Sequence, residues 1–334
     1  MSLKTKTILL AKRPRGELTE ENFLLDDREV HEPGLGEVRV RTIYFSVDPY
    51  MRNRMNDVPS YITPYELNQP ITGDALGEVI ESASEQFPVG TLVTGMMPWQ
   101  EVCTLQSKRL QMVDTGMGSI TSYLGILGLT GLTAYFGLLD IGNPRAGESV
   151  VISGAAGAVG LVAAQIAKIK GCYVTGIAGS DTKTAYLKDE LDLDEAINYK
   201  QVPNIRRQLR KALPQGVDVY FDNVGGEISD GIMYLLRDYA RIILCGQISL
   251  YNSGRIETGP RLQAQMIIHR VKMQGFIVYD YSSRFNQARR ELATWIKQGK
   301  LKQPENIIYG FENLPKALMG LFKGENLGKQ LVQV

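Results

Sequence analysis

The sequence predicts an α/β protein in which a six-stranded doubly wound parallel sheet, covered by helices, is joined to a smaller β-rich domain. Three observations predict it. A chain of 334 residues exceeds what one hydrophobic core usually holds. Its first third breaks into short strand-like pieces at Pro and Gly turns, the pattern of a barrel-like or sandwich domain. From about residue 123, apolar runs of strand length alternate with segments of helical spacing, as a parallel sheet requires. The expected division is 1–122 with 300–334 for the β-rich domain, and 123–299 for the sheet domain.

The elements follow in order. Pro33-Gly34-Leu35-Gly36 is turn chemistry, and Glu37 to Tyr44 alternates at period two like a half-buried strand. Gly77 to Glu81 and Gly90 to Gly95 are further strand-and-turn units. Ser149 to Ser153 is the short apolar run of a buried parallel strand. After a glycine turn, Val159, Val162, Ala163, Ile166 and Ile169 recur at helical spacing. Tyr173 to Ala178 is the next strand and Thr182 to Leu191 the next helix. Ala196 to Tyr199, Val217 to Phe221, Arg241 to Cys245 and Gln274 to Val278 bring the strands to six. A six-stranded sheet has no slot for Ile307 to Phe311, the helix Leu314 to Lys323 or the closing Lys329 to Val332. This tail is therefore expected to return to the first domain.

Composition excludes several classes. Lys plus Arg (37) nearly cancels Asp plus Glu (36), so the basic excess of a phosphate-gripping nucleic-acid binder is missing. No apolar run approaches the ~20 residues of a membrane span, and the start lacks the apolar stretch of a signal peptide. A soluble, cytoplasmic protein is expected. Cys103, Cys172 and Cys245 lack the spacing of a disulfide framework or structural zinc site. The two histidines, His31 and His269, are expected at the surface or in loops with few polar partners. Glycine stands out at 34 residues, about a tenth of the chain, and its placement carries the chemistry.

That placement is Gly154-Ala155-Ala156-Gly157-Ala158-Val159-Gly160. Gly157 lets a pyrophosphate approach the backbone, Gly160 lets the helix pack on the sheet, and the helix N-terminus holds phosphate charge. Ala155 stands where a dinucleotide fingerprint usually has its first glycine, but the strand before and the amphipathic helix after supply the context. An NAD site expects a carboxylate at the end of the second strand, to hold the ribose 2′-hydroxyl. Here that place is Ala178-Gly179-Ser180, with Lys183 one turn later, which suits a 2′-phosphate and hence NADP(H). Asp181 lies past the small-residue turn, where a helix start favours an acid for dipole reasons alone.

These segments resemble the zinc-independent medium-chain dehydrogenase/reductases, in particular the prostaglandin reductases (leukotriene hydroxydehydrogenases), curcumin reductases and plant double-bond reductases. The resemblance runs through Ser46 to Arg52, Gly128 to Tyr135, Ala155 to Gly160, Ala178 to Ser180, Asn198-Tyr199, Phe221 to Gly226 and Cys245-Gly246. It continues at Gly310 to Asn313 and Gly324 to Lys329, so it spans nearly the whole chain in order. It implies a GroES-like, partly open barrel for the first domain and a homodimer through the coenzyme domains. It also implies that the backbone of Ala156, Gly157, Ala158 and Val159 touches the pyrophosphate of NADPH/NADP+, and that Lys183 and Tyr199 hold the 2′-phosphate, with Gly179 and Ser180 among the coenzyme-binding residues. Asn223, Cys245, Gly246, Gln247, Phe276, Val278 and Asn326 are implied to line the rest of the coenzyme trough. Asn223 also follows a sheet strand, where open α/β sheets place ligands, although Asn-Val-Gly-Gly is turn chemistry in its own right. Where zinc-dependent relatives carry Gly-His-Glu, this chain has Gly73-Asp74-Ala75, and three scattered cysteines cannot build a four-cysteine zinc lobe.

Without that Lewis acid, the expected reaction is reduction of the C=C bond of an α,β-unsaturated ketone or aldehyde. It requires a positioned alkene and a donor to the developing enolate. Tyr251, on the loop after the fifth strand, is the expected donor, protonated at neutral pH as a phenol should be. Tyr50 is expected to shape the pocket or else pack in the core. Asp48 and Arg52 are expected to pair with each other, and Tyr61 and Tyr65 to lie in a solvated loop. Met266, Ile267 and Met273 suit either an adaptable apolar wall or ordinary core. Two rival readings stand beside this one: a quinone oxidoreductase on the same fold, and an NADPH-binding protein without turnover.

Overall fold

A computed structural model of the chain describes residues 3–201, 204–253 and 257–334. It forms two compact units, Met1–Gly125 with Glu305–Val334, and Ile126–Pro304. Unit 1 opens with β1 (Leu3–Leu10) and β2 (Phe23–Val30), an antiparallel pair. It continues through β3 (Glu37–Ser46), α1 (Tyr50–Arg54), β4 (Thr72–Ser82), β5 (Leu92–Pro98), β6 (Val102–Gln106) and β7 (Gln111–Met112). Unit 2 runs through α2 (Leu129–Phe136), β8 (Ser149–Ser153), α3 (Ala158–Ile169), β9 (Tyr173–Ala178), α4 (Asp181–Asp189) and β10 (Glu195–Asn198). Then come α5 (Ile205–Ala212), β11 (Val217–Asp222), α6 (Gly226–Ile232), β12 (Leu236–Leu244), α7 (Gln263–Ile268), β13 (Lys272–Gly275) and α8 (Phe285–Lys297). The chain ends in unit 1 with β14 (Glu305–Tyr309), α9 (Leu314–Lys323) and β15 (Lys329–Gln333).

In unit 2 the strand order is β10-β9-β8-β11-β12-β13, with every neighbouring pair parallel. This is the doubly wound arrangement, and its order reverses between β8 and β11. All five residues of β8 and all six of β11 are buried, because helices cover both faces of a parallel sheet. The last strand sits two residues earlier than its apolar pattern suggested. At the sheet edge the ladder takes the polar Lys272–Gly275, and Phe276, Ile277 and Val278 lie beyond its carboxyl end. Met273 packs against the sheet core, whereas Ile267 is 75% exposed, so the expected Met266–Ile267–Met273 wall does not form as a unit.

Unit 1 is built on β3, which pairs antiparallel with β4, β6 and β15. Val38 and Val40 are fully buried, but Arg39 between them is buried too and pairs with Glu81, so the strand is not the simple two-faced one expected. The tail returns here, as its pattern required. β15 lies between β14 and β3, and Phe311, Leu314, Leu318 and Val332 enter one core with Phe45, Met51 and Trp99. Each such side chain contributes about 1.5–3 kcal/mol by leaving water.

Several local expectations are corrected. Asp48 does not pair with Arg52. Its Oδ1 takes the Lys329 ammonium at 2.6 Å, while Arg52 donates to Asn56 Oδ1 and to the Gly16 carbonyl. Tyr65 is not in a solvated loop: it is 4% exposed, donates its hydroxyl to the Thr72 carbonyl and lies under the Arg54 guanidinium at 4.0 Å. Tyr61 is 59% exposed, as expected. Both histidines have carboxylate partners, His31 with Glu37 at 3.1 Å and His269 with Asp238 at 2.9 Å. Among the described residues no helix is long and apolar enough to cross a membrane.

Candidate coenzyme and active site

The parallel sheet decides where a site can lie. Every strand of unit 2 ends at the same edge, and the residues expected in that unit to touch a coenzyme all follow strand ends. Ala156 to Val159 follow β8, Gly179 and Ser180 follow β9, and Tyr199 follows β10. Asn223 follows β11, Cys245 to Gln247 follow β12, and Phe276 and Val278 follow β13.

At the first turn, Gly157 is the N-cap of α3, and no side chain caps the helix. The opening N–H groups of an α-helix have no intrahelical acceptors, so this end offers donors and positive potential together. The turn is held by Gly157 N–H to Gly154 O and by Ala155 N–H to Ile177 O, both 3.0 Å. A Cβ on Gly160 would stand 2.3 Å from the Gly154 carbonyl oxygen, so only glycine allows α3 to pack this close to the turn. Ala155, the departure from the fingerprint, is fully buried, and its methyl lies 3.0 Å from where a Cβ on Gly176 would be. The glycine missing from the turn has its counterpart on the neighbouring strand.

At the second turn, Ser180 caps α4 by accepting the Lys183 N–H. Asn198 pairs with Ala178 across the β9–β10 ladder, which brings Tyr199 against Gly179. A Cβ on Gly179 would lie 3.2 Å from the Tyr199 ring, 3.4 Å from its hydroxyl and 3.3 Å from Lys200 Cε. Burial, and after it the charge of Lys200, push the Lys183 ammonium below the ordinary lysine range. The Asp181 carboxylate turns to neutral partners, accepting from Asn198 Nδ2 at 2.8 Å and Gln201 Nε2 at 2.6 Å, and these two amides hold its pKa low. Lys200 was not read from the sequence as a site residue, although it directly follows Tyr199 at a strand end.

Where the sheet order reverses, Asp222 organises the next loop. Its Oδ1 accepts from Ser153 Oγ, Tyr220 Oη and the backbone N–H groups of Val224 and Gly225, all within 3.0 Å. Asn223 donates its backbone N–H to Ser153 Oγ and its Nδ2 to the Ser153 carbonyl. Its side chain therefore keeps the Oδ1 acceptor and one N–H to offer a ligand. The Asp222 carbonyl accepts from the backbone N–H groups of Cys245 and Gly246, which ties in the loop after β12. Burial pushes the Cys245 thiol up, so it stays protonated. In the same loop Tyr251 Oη accepts the Gln247 N–H at 3.2 Å. Ser153 and Asp222, the last residues of β8 and β11, escaped the sequence reading because their polarity is hidden at the ends of apolar runs. Phe276 packs edge-on against Tyr281, and Val278 opens the following short helix.

Two expected site residues belong to unit 1. Tyr50 opens α1 and packs, half-buried, against that unit's core. Asn326 is 8% exposed and donates Nδ2 to the Gly328 carbonyl. Asp74, at the place of the zinc-dependent histidine, has its carboxyl pushed up to about 7, first by burial and then by the Asp48 charge. Among the described residues no three His, Cys, Asp or Glu side chains converge as a metal would require.

An open doubly wound sheet with a glycine turn at its first strand and a cationic second turn defines a dinucleotide-dependent oxidoreductase. Comparison with known proteins agrees. Residues 6–113 match the family model for the N-terminal domain of oxidoreductase, and residues 158–294 that for zinc-binding dehydrogenase. The chain is 53% identical over 336 residues to the putative NADP-dependent oxidoreductase YfmJ of Bacillus subtilis, covering 100% of this chain and 99% of that one. It is 39% identical to the NADPH-dependent curcumin reductase of Escherichia coli, covering 98% and 96%. The crystal structure of CurA from Vibrio vulnificus in complex with NADPH superposes with a TM-score of 0.94 at 40% identity, covering 98% and 99%. The chain belongs to the medium-chain dehydrogenase/reductase family, in the branch of the curcumin, prostaglandin and 2-alkenal reductases. It is an oxidoreductase whose coenzyme is NADP(H). The residues present fit that coenzyme. The cradle at Gly157 is one a Cβ would fill, α3 carries no side-chain cap, and the second turn gathers Ser180, Lys183, Tyr199 and Lys200.

Proposed function

We propose that this enzyme reduces the C=C bond of α,β-unsaturated ketones and aldehydes at the expense of NADPH. When bound, the reduced nicotinamide supplies a hydride to the β-carbon of such a substrate. The chain's own residues meet the charge that then moves onto the carbonyl oxygen. The observation that carries the reading is the Tyr251 hydroxyl at the coenzyme edge of the sheet. Its oxygen accepts the Gln247 N–H, which orients the phenol and strengthens its O–H as a donor to an enolate. The α-carbon then takes a proton from solvent, so one enone, one NADPH and one proton give the saturated ketone and NADP+. Asn223, oriented by its bond from Nδ2 to the Ser153 carbonyl, presents an acceptor oxygen suited to a ribose hydroxyl.

On this reading Tyr50 shapes the substrate pocket and Asn326 contacts the coenzyme, as the family resemblance implies. The enzyme works in the cytoplasm as a homodimer joined through its coenzyme units. The edge position of β13 and the exposure of Ile267 (75%) and Ile268 (56%) support the dimer. The deciding experiment follows NADPH oxidation with a linear enone, an enal and a quinone, and identifies the product by mass spectrometry. A gain of two hydrogens on the alkene supports the reading. Turnover of the quinone alone favours the quinone oxidoreductase, and binding of NADPH without oxidation by any of the three removes catalysis.

A further inference from the structure

The turn after β10 carries more positive charge than a structural role explains. Tyr199 and Lys200 both lean on Gly179, the Lys200 Cε standing 3.3 Å from the position of a Cβ there, on the β9 side of the ladder. Lys183 stands in the first turn of α4, which opens at the same place, near enough to feel the Lys200 charge. Two ammonium groups held together in the native state repel each other, and folding gains nothing from that contact. A carboxylate within reach would relieve it, and one lies in this turn. Asp181, however, has both oxygens occupied by the Asn198 and Gln201 amides. Among the described residues no carboxylate forms an ion pair with Lys200. The turn thus holds an ionised acid whose two oxygens are taken by amides, and a second ammonium close enough to the first to be felt by it.

We propose that Lys200 is a specificity-determining residue for the coenzyme, a second cation for the 2′-phosphate in addition to Lys183. A phosphate monoester bound to ribose carries close to two negative charges at neutral pH, and two ammonium groups match it. The Asn198–Asp181–Gln201 bonds then serve selectivity as well as the loop, because an Asp181 carboxylate released from its amides would compete with the phosphate for the lysines.

The inference rests on NADP(H) being the coenzyme, and the test separates the two ideas. Calorimetry would measure 2′,5′-ADP and 5′-ADP binding to the wild-type protein, Lys200→Gln and Lys200→Arg. The expected result is a wild-type preference for 2′,5′-ADP that Lys200→Gln weakens by about 5–30-fold and Lys200→Arg preserves within about threefold, with 5′-ADP affinity unchanged throughout. A wild-type protein with no preference overturns the NADP(H) assignment and this proposal with it. A wild-type preference that Lys200→Gln leaves within twofold overturns the proposal alone. Equal losses for both ligands also overturn it, since they mark general damage to the turn.

Discussion

Replacing Tyr251 by Phe removes one oxygen atom and leaves the ring, so it isolates what the hydroxyl does. Two of the contributions lost bear on the reaction. The first is the hydrogen bond from the Gln247 N–H at 3.2 Å, a neutral bond at a half-buried position. Its loss costs about 0.5–1.5 kcal/mol, expressed as a looser β12 loop and a modest rise in KM for NADPH. The second is the proposed bond to the enolate, which exists fully only in the transition state. Donors in closed oxyanion sites are worth roughly 2.7–4 kcal/mol. The half-buried setting places Tyr251 at or below the lower end, about 1.4–2.7 kcal/mol, so kcat should fall about 10–100-fold. Steady-state kinetics on a good enone would measure it, with deuterated NADPH to confirm through a primary isotope effect that the chemical step limits the rate. A kcat within twofold of wild type, with a full isotope effect, would refute Tyr251 as the enolate donor. A rise in KM alone would assign the hydroxyl to loop geometry.

Other perturbations test the scaffold. Gly160→Ala forces a methyl to within 2.3 Å of the Gly154 carbonyl, so α3 must back away from the turn. The expected cost is about 1–3 kcal/mol in thermal or denaturant unfolding, together with weaker NADPH binding by calorimetry. Lys329→Met strands the Asp48 carboxylate, 8% exposed, with its ammonium partner gone. It should destabilise by about 3–5 kcal/mol in urea, and adding Asp48→Asn should recover most of the loss; a single-variant loss below about 1 kcal/mol contradicts the buried pair. Asp74 holds its proton up to about 7 in the native state, whereas the unfolded chain releases it near the ordinary carboxylate value. The native state therefore binds more protons between about pH 4 and 7, and stability must fall as pH rises through that window. Because the side chain is partly open to solvent, the fall should be on the order of 2 kcal/mol. Asp74→Asn should abolish this slope, as urea unfolding at pH 5 and pH 8 would show.

What could be read from the sequence follows the physics of each element. Val150, Val151 and Ile152 announce their strand because a central parallel strand must be apolar on both faces. The glycine turn announces itself because a methyl at 160 would strike backbone, which no side chain can yield to. The edge strand Lys272–Gly275 is nearly silent, since one side of it faces no neighbouring strand and polar residues are tolerated there. β2 is silent for a similar reason: its Asp26-Asp27-Arg28-Glu29 stretch lies on the surface and reads as a loop. At the candidate site, strand-end positions could be counted off from the sheet pattern, so Asn223 and Tyr199 were accessible. The bonds of Asp48, Tyr65 and Asp222 were not. Lys329 is 281 residues from Asp48, and Ser153 is 69 from Asp222, distances at which no local pattern speaks.

The position of β15 between β14 and β3 sets an order of events on the ribosome. Unit 2 is one continuous stretch, Ile126–Pro304, and can close once it has emerged. Unit 1 cannot, because the partner of Ser46 is Leu331 and the partner of Asp48 is Lys329. At about 5–20 residues per second, the Tyr44–Ser46 end of β3 waits roughly 15–60 s for its β15 partner, with Asp48 uncompensated. During that interval the open end of the nascent unit 1 sheet is exposed to mispairing.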